Sequence, residues 1–209
     1  MPVKKVQKKN AGAGERVSAK PNAIVLAGLK LFTQYGYRKT SIDDIANAAQ
    51  VAKRTVYLHF ENKAAVFLAI LEYLGDRVRQ RCAAAESADG TAVDRLTGLL
   101  DAYFGMAFEL FSKSEHMLEL EETFSTLARA RIGDLNAEYE NRLARFLRSL
   151  QKTGVIGGPP QGLTVEQIVR ILMRTAEGAK HDPDLQGDRK ELERRLRELA
   201  ILAIAAMHK

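Results

Sequence analysis

The sequence predicts an all-α protein: an N-terminal three-helix unit followed by a larger helical region. Three observations carry this. Apolar residues recur at about 3.6-residue spacing along most of the chain. No stretch alternates apolar and polar residues for long enough to suggest a sheet. Helix-stopping residues punctuate the periodic segments, at Gly36, near Gly90, at Gly154 and in the run Gly157-Gly158-Pro159-Pro160. With 209 residues, 46% of them apolar, the chain can bury a substantial core.

The elements follow in order. Residues 1–20 lack apolar periodicity and are rich in Lys, Gly and Ala, which predicts a flexible basic arm. Pro21 stands where a helix can begin, and Ile24, Ala27, Leu31, Phe32 and Tyr35 form its apolar stripe up to Gly36. Thr40 and Ser41 are both N-cap candidates for a second helix. Asp43 and Asp44 place negative charge in its first turn, and Ile45, Ala48 and Ala49 give its apolar face. Gln50-Val51-Ala52 is a tight break. A third helix, Lys53 to His59, buries Val56 and Phe60, and Asn62 caps a long fourth helix. Beyond a break near Glu86–Gly90, helical segments are expected at about 92–111, 115–131, 134–153, 164–180 and 188–207. Thr164-x-x-Gln167 reads as a capping box. The domains expected are therefore the arm 1–20, a three-helix unit 21–66 and a helical domain 67–209.

Charge is placed unevenly. Residues 1–63 carry a net charge of +8 and the remainder −2, within a total of +6. A basic module joined to a near-neutral one suggests a polyanion for the first and another task for the second. The basic arm then either touches phosphates or a minor groove or is a tail without a role. No apolar run reaches the roughly 20 residues of a membrane span, and no signal-peptide segment follows the basic N-terminus. The one cysteine, Cys82, has no internal partner, so a cytoplasmic location is expected and no disulfide. One Cys and four scattered His offer no metal-ligand spacing, and no cofactor is implied. With no Gly-rich phosphate loop, nucleophile motif or paired acid and base, an enzyme is not expected.

Two short helices joined by a three-residue turn have helix-turn-helix geometry, in which the second helix enters a DNA major groove. With Val56 inward, helical spacing turns Arg54 and Leu58 outward, with Thr55 and Tyr57 flanking and Lys53 at the helix start. Arg54 suits a guanine edge. Tyr57 suits a sugar, a thymine methyl or a phosphate. Leu58 faces either a base methyl or a neighbouring helix. Lys63, at the start of the fourth helix, and His59 can reach phosphates.

The run Gly36-Tyr37-Arg38-Lys39-Thr40-Ser41-Ile42-Asp43-Asp44-Ile45-Ala46-Asn47-Ala48-Ala49-Gln50-Val51-Ala52-Lys53-Arg54-Thr55-Val56-Tyr57-Leu58-His59-Phe60-Glu61-Asn62-Lys63 resembles the signature of TetR (tetracycline-repressor-like) transcription regulators. The likeness covers residues 22–66; the rest agrees in length and helical layout. The resemblance implies an all-helical homodimer on a palindromic operator in double-stranded DNA. It also implies repression relieved by a small-molecule effector in the C-terminal domain. By position it assigns DNA contacts to Thr40, Ala52, Lys53, Arg54, Thr55, Tyr57, His59 and Lys63. Two positions depart from the pattern. Gln50 stands where glycine is usual, at a strain of about 1 kcal/mol if left-handed. Ala52 replaces a capping serine.

In the C-terminal domain, Val165, Ile168, Val169 and Leu172 on one helix, with Leu192, Leu196, Leu199 and Leu202 on the last, form wide apolar faces. These pair either with a second copy in a four-helix bundle or with the chain's own helices; the resemblance favours the dimer. Large apolar candidates for an effector pocket are Tyr103, Phe104, Phe108, Phe111, Met117, Phe124 and Met173, any of which can equally be core. Polar candidates are His116, Tyr139 and Glu177; a buried Glu177 would pair with a cationic effector, an exposed one would not. The competing expectation is a DNA-binding dimeric scaffold without a pocket.

Overall fold

The computed structural model describes residues 13–185 and 187–207, with side chains from residue 21 onward. Ten α-helices make up the described chain: α1 (Ala13–Tyr35), α2 (Ile42–Ala48), α3 (Lys53–His59), α4 (Lys63–Ser87), α5 (Ala92–Leu100), α6 (Met106–Phe111), α7 (Met117–Leu127), α8 (Arg129–Lys152), α9 (Val165–Lys180) and α10 (Arg189–Ala206). A π-helical turn, Asp101–Gly105, joins α5 to α6, and a 3-10 turn, Pro183–Leu185, precedes α10. The described residues include no strand. They fall into two compact units divided between Leu71 and Glu72, within α4.

In the N-terminal unit the first helix begins earlier than its sequence suggests. Of the expected basic arm, residues 1–12 lie outside the described residues, while 13–20 already belong to α1. Ala, Glu, Arg and Lys in that stretch are good helix formers, and they carry the helix past Pro21 although proline removes one backbone hydrogen bond. Ile24, Ala27 and Phe32 are buried as expected, whereas Tyr35, at the helix end, is exposed. Gly28 lets α1 approach α4, since a Cβ there would meet Val66 and Ile70 at 3.0 and 3.2 Å. Phe32, Tyr37 and Phe67 form an aromatic triangle with centroids 5.2 to 5.8 Å apart. On α2 the buried pair is Ile45 and Ala46; Ala48 points to solvent instead.

The C-terminal unit is built around one apolar core to which α5, α8, α9 and α10 contribute most. Its helix starts are capped by their own sequence. Thr91 and Asp94 form a capping box on α5, Thr164 and Gln167 the expected one on α9, and Asp188 caps α10. The expected helix 92–111 is interrupted by the π turn, where Gly105 is buried beneath the Asp101–Arg189 ion pair. A Cβ at Gly105 would collide with both side chains, so a larger residue there must displace the ion pair. The expected 115–131 segment breaks at Ala128, and α8 takes over from Arg129.

The last two helices require a correction. Val165, Ile168, Val169, Leu172, Leu192 and Leu196 are all buried in the chain's own core. They were candidates for a dimer interface; packing against their own chain accounts for them, because α9 and α10 lie on each other and on α8 and α5. Leu199 is partly buried against the same core, and of the eight only Leu202 is exposed, at 66%. Ile171 at 52% and Ile201 at 46% accompany it on the outer faces of α9 and α10.

Candidate nucleic-acid interface

The turn between α2 and α3 has the geometry its residues predict. Gln50 adopts a left-handed backbone with φ 55°, the only described non-glycine residue with positive φ. Its N–H donates to the Asn47 carbonyl and that of Val51 to Ala46, at 3.1 and 3.0 Å, which holds the turn tight. On the α2 side, Ser41 and Asp44 form a reciprocal cap: Asp44 N–H donates to Ser41 Oγ at 3.1 Å and Ser41 N–H to Asp44 Oδ2 at 2.8 Å. On the α3 side, Ala52 provides no side-chain cap, as its methyl dictates.

Helix α3 buries one side chain, Val56, and half-buries Thr55, His59 and, just beyond its end, Phe60. Ala52, Lys53, Arg54, Tyr57 and Leu58 are exposed. Lys53 Nζ lies 2.8 Å from Asp43 Oδ2, an exposed pair that joins the starts of α3 and α2. The Asp43 carboxylate holds the Lys53 ammonium above its ordinary pKa. Arg54 has no hydrogen bond or ion pair among the described residues. Leu58 is 79% exposed, which removes packing against a neighbouring helix of its own unit as its explanation. A short helix thus presents a free guanidinium, a phenol and an isobutyl group to solvent on one side.

Two expected contacts are not placed to reach a ligand. Thr40 is 3% exposed, and its hydroxyl donates to the Gly36 carbonyl at 2.7 Å. It closes the α1–α2 loop instead of facing outward. Lys63 is turned inward too. Its ammonium donates to the carbonyls of Tyr37 at 2.7 Å and Thr40 at 2.8 Å, approaches that of Arg38 at 3.4 Å, and sits 4.4 Å from the Tyr37 ring centroid. An ammonium has three donors, and this loop takes them up. The missed signal is one of accounting: the carbonyls of residues 37–40 lie outside any helix and need donors. Asn62 behaves as its sequence predicts, accepting from the Ala65 N–H at 2.9 Å.

The comparisons with known proteins bear on this geometry. The pattern of bacterial regulatory proteins of the tetR family matches residues 24–70, which span α1 from Ile24, the two-helix turn and the start of α4. Residues 24–70 thus carry the tetR-family pattern on the two-helix turn and the helices that flank it. HTH-type transcriptional regulator RutR of Escherichia coli is 38% identical over 60 residues, covering 29% of this chain and 28% of that protein. YuxN of Bacillus subtilis, an uncharacterized HTH-type transcriptional regulator, is 37% identical over 62 residues, or 30% of this chain and 21% of its own length. The chain therefore spans less than a third of these two curated relatives. IcaR of Staphylococcus aureus, a negative transcriptional regulator of a biofilm operon, is 25% identical over 127 residues, or 59% of this chain and 67% of IcaR. A TetR transcription regulator from Haloarcula marismortui shares the TetR fold over 92% of this chain and all of its own, with a TM-score of 0.73 at 22% identity. FadR of Bacillus subtilis, solved with stearoyl-CoA, does so over 90% of this chain and 99% of its own, with a TM-score of 0.63 at 20% identity.

TetR-type effector pocket candidates in the C-terminal unit fall into two groups. Tyr103 stacks on Tyr139 with centroids 4.7 Å apart, and Phe104 meets Tyr103 edge-on at 5.0 Å. Phe108 and Met173 belong to the same cluster. Tyr139 donates to the Leu99 carbonyl at 2.8 Å and Tyr103 to Asn136 Oδ1 at 2.5 Å, so both phenols have internal acceptors. Burial pushes the Tyr103 hydroxyl up to about 12. The second group pairs Phe111 with Phe124 edge-on at 6.1 Å, with His116 and Met117 half-buried in the same stretch of chain. Glu177 does not await a cation. Lys180 lies 2.9 Å and His181 2.8 Å from its Oε1, and together they outweigh burial and lower its pKa. Among the described residues no helix is long and apolar enough to cross a membrane.

Proposed function

We propose that the chain is a sequence-specific transcription regulator that binds a palindromic operator in duplex DNA as a homodimer, represses the adjacent gene and is released by a small-molecule effector. The observation that carries the reading is the outward side of α3, where Arg54, Tyr57 and Leu58 stand exposed on a helix pinned by Val56. Guanidinium, phenol and branched alkyl groups match guanine edges, phosphates and thymine methyls. Lys63 and Thr40 support this surface from within by fixing the α1–α2 loop. The proposed domains are the basic arm and helix-turn-helix unit at the N-terminus and the effector and dimerisation part after it, in the cytoplasm. TetR regulators are typically dimeric and effector-binding, and the FadR relative was solved with stearoyl-CoA.

The dimer face moves from the buried residues expected to the outer faces of α9 and α10, where Ile171, Ile201 and Leu202 are exposed. The close aromatic packing of Tyr103, Phe104 and Tyr139 favours a second reading, a dimeric DNA-binding scaffold that senses nothing at that place.

Fluorescence anisotropy with DNA from upstream of the chain's own gene tests the proposal. Affinity falls steeply as salt rises, because bound cations displace counterions. Arg54→Ala costs about 1–3 kcal/mol and relaxes preference at one base pair. A uniform loss across all sequences makes Arg54 a phosphate contact instead. Failure to bind any duplex at low ionic strength rejects the function.

A further inference from the structure

The C-terminal unit carries an open groove of about 460 Å³ lined by Glu86, Arg95, Arg142, Arg145, Phe146 and Ser149. Its α8 residues, 142, 145, 146 and 149, recur at helical spacing and form one stripe. Glu86 from α4 and Arg95 from α5 complete the lining.

The charge in the groove is not balanced. Glu86 takes Arg142 in a two-pronged pair, Nε to Oε1 at 2.9 Å and Nη2 to Oε2 at 2.7 Å. Arg95 and Arg145 have no carboxylate partner among the described residues. Elsewhere in the unit Arg79, Arg81, Arg131, Arg189 and Arg195 each meet one or more, while Arg170 and Arg174, exposed on α9, meet none among the described residues; what sets Arg95 and Arg145 apart is that they share one groove. Arg95 is the more telling. Its Nε is buried without an acceptor, while its guanidinium carbon lies 5.6 Å from the centroid of the Phe146 ring. The ring holds the guanidinium plane by cation–π attraction. The remainder of the guanidinium lines the groove, where an acceptor can reach it.

The geometry points to a binding site for a phosphate-bearing small molecule in this groove. Two uncompensated guanidinium groups match a dianion in charge. Planar forks from two different helices match oxygens that diverge from a tetrahedral centre. The volume lies in the range of small-molecule sites, roughly 300–1,000 Å³, which leaves room for an organic remainder beside the phosphate. The site belongs to the C-terminal unit alone and does not rest on the DNA-binding reading.

Isothermal titration calorimetry of the full chain with inorganic pyrophosphate, at physiological salt, tests this. Citrate serves as the carboxylate control. The expected result is saturable binding of one pyrophosphate per chain, with citrate much weaker. Arg95→Gln and Arg145→Gln each weaken binding about tenfold or more, and Arg170→Gln, at an exposed position on α9, leaves it unchanged. Arg145 is exposed, so its variant carries the test even if Arg95→Gln unfolds. Absence of saturable binding overturns the site. So does equal weakening by Arg170→Gln, which indicates diffuse charge. Loss on Arg54→Gln with the groove variants unaffected places the probe on α3 and also overturns it. Citrate binding as tightly as pyrophosphate rejects the phosphate assignment.

Discussion

Gln50 shows how one residue can be both legible and costly. The turn before α3 needs a left-handed backbone, and the sequence fills that position with a residue that has a Cβ. The observed φ of 55° realises the strain expected from the pattern. Gln50→Gly relieves it at the expense of a freer unfolded chain, so urea denaturation is expected to show stabilisation of up to about 1 kcal/mol. A loss of stability in that variant would mean that the glutamine side chain makes a compensating contact. Lys63 teaches the opposite lesson. Its place at a helix start next to a basic surface reads naturally as a phosphate contact, yet its ammonium is taken by the loop carbonyls of Tyr37 and Thr40. Periodicity reveals which way a side chain leaves a helix; it does not reveal which unpaired carbonyls a loop 23 to 26 residues distant in the chain will bring to it.

At the scale of elements, helix starts with a side-chain cap were the most legible features, because caps are local chemistry. Ser41, Asn62 and Thr164 each cap the helix their spacing indicates. The π turn at Asp101–Gly105 was not legible; its Asp101 pairs with Arg189 of α10, 88 residues away, a contact that local periodicity does not report. The start of α5 is tied to α10 in a comparable way. Asp94 accepts from the Thr91 hydroxyl at 2.7 Å, from the Thr91 N–H at 2.9 Å and from Arg197 at 2.6 Å. The Thr91 hydroxyl first, then Arg197, holds its carboxyl well below the ordinary range. On α10 itself, Arg194 and then Arg195 lower Glu191 to about 2. A carboxyl with a depressed folded-state pKa stabilises the fold above its unfolded value, near 4. That contribution disappears as pH falls through that value towards the folded one. The melting temperature, followed by circular dichroism, therefore drops between about pH 5 and about pH 2. Asp94→Asn melts lower at neutral pH and loses less across that interval; an identical drop in both proteins would show that the α5–α10 tie has no part in acid unfolding.

For the whole molecule, the sequence identified the two final helices as the apolar pair but not which face remains free. Both faces of α9 and α10 carry aliphatic residues, and only packing against α5 and α8 decides between them. Ile171→Glu combined with Leu202→Glu is expected to halve the molar mass seen by light scattering while leaving the fold intact. Truncating buried Val169 or Leu196 to Ala should instead lower stability by about 1–5 kcal/mol without changing assembly. An unchanged mass for the double variant would move the interface elsewhere. On DNA, Leu58 has a consequence of its own. In the proposed contact with a thymine methyl, water leaves its exposed isobutyl group, and dissolved ions do not screen that gain as they do the attraction of arginine to phosphate. Concentrated electrolyte should thus erode attachment to random duplexes sooner than attachment to the cognate site, and discrimination between the two should sharpen as overall grip weakens.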